Sequence, residues 1–118
     1  MNLPDRHNVF GLLECTDRIE ELAQCLQVHM GFSDSEVWVK TSGFNGAKSL
    51  IVRAERADFD AYYTGDEGEL LFNGAIAGSP NAVLGIVEKL HAALKDHGFK
   101  PRFEIYNDDN LCVAELAA

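Results

Sequence analysis

A chain of 118 residues with 47% apolar side chains holds enough for one packed core and too little for two, so a single domain over 1–118 is expected. Its 10 basic and 19 acidic side chains leave a net charge of −9, which argues against nucleic acid or an anionic membrane as the direct ligand. No apolar run approaches the roughly 18–20 residues that cross a bilayer, and the polar start Met1 to Asp5 lacks the parts of a secretion signal, so a cytoplasmic protein is expected.

Val9 to Glu14 reads as a strand. A helix then starts at Thr16, whose hydroxyl can cap it, with Asp17 and Glu20 at its positive end. Ile19, Leu22, Ala23, Leu26 and Met30 recur at helical spacing, and Gly31 is the stop. Glu36 to Thr41 alternates, with Val37 and Val39 on one face and Trp38 on the other. The turn Ser42 to Gly46 leads into Lys48 to Glu55, where Leu50, Val52 and Ala54 share a face. Arg56 to Gly68 reads equally as a continued strand or an exposed loop. Glu69 to Ala77 is a further strand, interrupted at Asn73-Gly74.

The second helix has Ser79 as N-cap and Pro80 at its first position, where a missing N–H costs nothing. Val83, Ile86, Val87, Leu90 and Leu94 form its buried face, Lys95 and His97 lie in its last turn, and Gly98 ends it. Gly85 costs such a helix about 1 kcal/mol relative to alanine and marks close packing on a neighbour. Arg102 to Tyr106, with Phe103 and Ile105 inward, and Leu111 to Leu116 form a closing hairpin around the turn Asn107 to Asn110. The expected fold is α+β, two helices on one face of a mostly antiparallel sheet. A βαββ pseudo-repeat about 65 residues apart and a plain α+β domain both stay open.

Chemistry-bearing motifs are scarce. Cys15, Cys25 and Cys112 are odd in number and contain no C-x-x-C, which excludes a disulfide framework and a zinc cluster of familiar spacing. Among His7, His29, His91 and His97, the last two are six apart and share no helix face. H-E-x-x-H is absent, so no metal and no cofactor are expected. Neither G-x-S-x-G nor a phosphate-binding glycine loop occurs. What stands out is Glu55 to Glu69, with six acids (Glu55, Asp58, Asp60, Asp66, Glu67, Glu69) and one base, Arg56. Phe59, Tyr62 and Tyr63 interleave with them, and aromatics inside an acidic rim suit an interface for a basic protein. The partner-binding residues expected are thus Asp58, Phe59, Asp60, Tyr62, Tyr63, Asp66 and Glu67, the alternative being a strand whose outer face is solvated.

In size, charge and missing catalytic motifs the chain resembles the small acidic immunity proteins that bacteria make against their own toxins. That resemblance implies a non-enzymatic inhibitor docking a basic partner, a toxin for instance. The stretch from Asn107-Asp108-Asp109-Asn110-Leu111 to Glu115-Leu116 resembles the last hairpin of the glyoxalase-like βαβββ metalloenzymes. That likeness implies Glu115 as a metal ligand, and with it a small-molecule- or metal-binding enzyme. A homodimeric structural module, built on a sheet edge or the Trp38 patch, is the third alternative.

Overall fold

The computed structural model describes residues 6–15, 17–44, 46–64, 68–107, 109 and 111–117, Arg6 by its backbone alone. Nine elements follow in the order β1 (Arg6–Glu14), α1 (Ile19–Met30), β2 (Val37–Thr41), β3 (Lys48–Arg53), β4 (Ala57–Tyr63), β5 (Glu69–Ala77), α2 (Pro80–Asp96), β6 (Arg102–Tyr106) and β7 (Cys112–Leu116). The seven strands form one sheet in the order β2-β3-β4-β5-β1-β6-β7, and every neighbouring pair is antiparallel. Both helices pack on the same face. α1 leans on β2 and β3, α2 on β6 and β7, and the two helices touch each other. The arrangement is βαββ-like twice over, as β1-α1-β2-β3 and β5-α2-β6-β7, with β4 set between them. No helix among the described residues is long and apolar enough to cross a membrane.

Period-two alternation decides which side chains enter the core. Val9 and Leu13 of β1, Leu50 and Val52 of β3, Phe59 and Ala61 of β4, Leu70, Phe72 and Ile76 of β5, and Phe103 and Ile105 of β6 all point under the helices. Phe72 stacks on Phe59 at 4.6 Å between centroids and meets Phe103 edge-on at 6.1 Å, which joins the two halves of the sheet through one aromatic row. The helices contribute Ile19, Leu22 and Leu26 from α1, and Val83, Val87, Leu90 and Leu94 from α2.

Four expectations change. Within Arg56 to Gly68, Ala57–Tyr63 forms β4, a central strand separate from β3 and no exposed loop, because Phe59 and Ala61 have core to fill. Residues 65–67, and with them Asp66 and Glu67, lie outside the described residues. β5 is not interrupted at Asn73-Gly74. Both residues pair with β1 and β4, and Gly74 is required there because a Cβ would stand 1.8 Å from the Asp58 carbonyl oxygen. α1 begins at Ile19 behind Arg18, with no side-chain cap, since Asp17 takes a left-handed φ of 55° and turns the chain first. Thr16, the expected cap, lies outside the described residues. Gly85 packs on nothing, for a Cβ there meets open space.

Candidate metal centre

α1 places Cys25 and His29 four residues apart, so both project from one side of the helix. Cys25 sits at the seam with α2. It is 3% exposed, and its thiol points at the Ala93 carbonyl oxygen, 3.9 Å away. Burial pushes the Cys25 thiol up from its ordinary value, and the nearby Glu21 carboxylate adds to that. His29, one turn on, is exposed.

The third residue comes from the other helix. α2 starts as its sequence requires, with the Ser79 hydroxyl accepting from the Ala82 N–H at 3.3 Å and Pro80 in the first turn. It ends in a Schellman motif: Gly98 N–H donates to the Lys95 carbonyl and Phe99 N–H to the Leu94 carbonyl, both at 3.0 Å, with Gly98 at φ 79°. This turn fixes the backbone of His97, the C-cap residue. His97 is half-buried, and its ring meets that of His29 edge-on at 5.1 Å between centroids.

One ligand atom each from Cys25, His29 and His97 lies within 4.8 Å of the others. A tetrahedral ion with bonds of about 2.0–2.3 Å to nitrogen and sulfur needs its donors roughly 3.5 Å apart. The cluster therefore has to close by on the order of 1 Å, which rotation of the exposed His29 ring and the half-buried His97 ring can supply. A thiol and two imidazoles form a borderline-soft donor set, suited to zinc and its neighbours rather than to calcium or magnesium.

Arg18 links the two helix ends beside the cluster. Its Nε donates to Glu21 Oε2 at 2.7 Å, its Nη2 donates to the His97 carbonyl oxygen at 2.6 Å, and its guanidinium lies 4.2 Å from the centre of the Phe99 ring. Arg18 holds the Glu21 carboxyl below the usual carboxylate range, with a smaller contribution from His97.

The residues expected to bind a partner are distributed otherwise. Phe59 is a core side chain, 3% exposed. Asp58, Asp60 and Tyr62 lie on the sheet face away from the helices, and Asp60 pairs with Arg53 across the β3–β4 register at 3.0 Å. Tyr62 borders a depression that also holds Lys40 and Lys48. Tyr63 turns inward at the end of β4 and donates to the Cys15 carbonyl at 2.7 Å. Glu115, implied by the glyoxalase-like hairpin, pairs with Glu104 on the uncovered face, across the sheet from the His–Cys cluster. Of the remaining histidines, His7 is buried on β1, and His91 Nε2 lies 2.7 Å from the Ala117 carbonyl oxygen.

The expected non-enzymatic docking protein is corrected by this geometry. α1 and the C-cap of α2 bring a thiol and two imidazoles within 4.8 Å of one another, a set that could hold a metal ion, and that favours the small-molecule- or metal-binding alternative. The signal available in the sequence was Cys25-x-x-x-His29, a ligand spacing on one helix. His97 carries no such signal, since only the helix packing brings it near. No family model, curated protein or solved structure matches the chain.

Proposed function

We propose that this protein binds a borderline-soft transition-metal ion of the zinc class through Cys25, His29 and His97. The observation that carries the reading is the convergence of one thiol and two imidazoles within 4.8 Å from two different helices. Binding displaces the thiol proton, because thiolate is the ligand form. Three protein ligands are one short of a tetrahedral set, and the exposure of His29 leaves the site open to solvent. That is the arrangement in which an ion presents a position to water or a small molecule. We place this chemistry in the cytoplasm, where the free thiols Cys15, Cys25 and Cys112 would stay reduced.

Competition between the protein and a chromophoric chelator for Zn²⁺ tests the reading. One equivalent per chain is expected, lost in Cys25→Ala, His29→Ala and His97→Ala and retained in His91→Ala. An affinity that survives all three ligand substitutions would remove the proposal.

A further inference from the structure

Both helices lie on one face of the sheet, and among the described residues no helix packs on the other. That second face has an apolar centre. Phe10, Trp38 and Tyr62 stand on it, each at least 40% exposed, with the half-buried Leu12, Ile51 and Leu71 beside them. Seven strands of five to nine residues, about 4.8 Å apart, offer a face on the order of 600 Å². Two such faces together reach the roughly 1,200 Å² at which specific interfaces begin.

The strand register shows that a second copy of the chain fits this face. Stacked sheets keep their strands within about 30° of each other, so a two-fold axis in the interface runs either along the strands or across them. One row of side chains crosses the whole face, from Trp38 through Ile51, Asp60, Asn73 and Phe10 to Glu104 and Glu115. An axis across the strands lays this row on itself residue by residue. Asp60, Glu104 and Glu115 would then each face their own carboxylate, which costs binding.

An axis along the strands, through the central β5, sets β4 on β1 of the second copy, β3 on β6 and β2 on β7. Asp60 then meets Phe10, Ile51 meets Glu104 and Trp38 meets Glu115, so no acid of the row faces an acid. In the next row Leu71 meets Leu71 on the axis, and Tyr62 meets Leu12 on either side of it. In the row beyond Asp60, Arg53 lies over Tyr106 of the second copy, a cation above an aromatic ring, with that copy's Glu104 one row away. From this self-complementary pattern we infer that the uncovered face is the interface of a two-fold dimer whose axis runs along β5. The Cys25, His29 and His97 cluster stays on the outer helix layer of each copy, clear of the contact.

Mass and geometry are measured together. Light scattering of the full chain between about 1 and 200 µM should show twice the chain mass at the upper end. Leu71→Asp, which sets two carboxylates against each other on the axis, should weaken association at least tenfold, with far-UV circular dichroism confirming that it folds. A nitroxide on the exposed Cys112 of β7 reads the axis in the otherwise unaltered protein, since Cys15 and Cys25 are buried. With β7 laid over β2 of the second copy, the two labels stand six strand spacings apart, so pulsed electron resonance should give about 30 Å. A distance below about 20 Å would mean an axis across the strands or pairing of β7 edge to edge, and would overturn the assignment. So would a monomer throughout the concentration range, or a folded Leu71→Asp that dimerises as the wild type does.

Discussion

Removing the His29 imidazole should remove most of the metal-induced stabilisation while leaving the apo fold alone. His29 is exposed on α1 and its ring meets only that of His97 edge-on among the described ring contacts, so His29→Ala should change apo stability by no more than about 0.5 kcal/mol. For the wild type, an ion at 100 times its Kd adds about 2.7 kcal/mol, by binding the folded chain alone. Unfolding entropy is roughly 2.1 cal/mol/K per residue, which for 118 residues is about 0.25 kcal/mol/K, so each kcal/mol moves Tm by about 4 °C. The expected rise is therefore on the order of 11 °C. If losing one ligand weakens binding about 100-fold, the upper end of what an outer-shell partner alone is worth, the same ion concentration only equals the Kd of the variant. It then adds about 0.4 kcal/mol, or about 2 °C. Thermal unfolding followed by far-UV circular dichroism, with and without Zn²⁺ and with His91→Ala as control, reads both numbers. A rise of similar size in wild type and His29→Ala would refute the reasoning, for the ion would then be sitting elsewhere.

Gly98→Ala should cost about 1–2 kcal/mol, the penalty of a Cβ in the left-handed region, here at φ 79°. It should also weaken Zn²⁺ binding, because it disturbs the turn that aims His97, and chelator competition checks that. Gly85→Ala should stabilise the protein by about 1 kcal/mol, since the Cβ enters open space in the middle of α2, and urea unfolding measures the gain. Gly74→Ala forces a Cβ against the Asp58 carbonyl between two central strands, so a loss of about 3 kcal/mol or more is expected, read as a lowered urea midpoint. Tyr63→Phe should cost about 1 kcal/mol at neutral pH by removing the hydrogen bond to the Cys15 carbonyl. Burial, then the neighbouring Cys15, pushes the Tyr63 hydroxyl up from an ordinary 10.0 to about 12. A raised pKa favours the protonated form in the folded state, so this contribution is complete below about pH 10 and fades toward pH 12. Urea midpoints measured across that window should fall less steeply in Tyr63→Phe than in wild type.

Local rules alone determined most of the elements. Ser79-Pro80 and Gly98 bracket α2 because caps act within a few residues of the backbone groups they satisfy. The alternation of Leu50 with Val52 and of Phe103 with Ile105 set their strands and inward faces, since pleating sends successive side chains to opposite sides. The α+β class with both helices on one face follows from those patterns. Other features needed the folded chain. β4 became a central strand through its pairing with β3 and β5, and Gly74 stayed inside β5 because two backbones close on it, neither of which its neighbours in sequence reveal. The candidate metal centre depends on tertiary structure in the same way. Cys25-x-x-x-His29 was present in the chain as one helical spacing, but His97 is 68 residues beyond His29, and only the packing of α1 on α2 brings the three donors together. The acidic and aromatic run from Asp58 to Tyr63 stood out in sequence because charge and ring content can be counted along a chain. A coordination site is a matter of distance and direction between elements, and those are decided when the helices meet over the sheet.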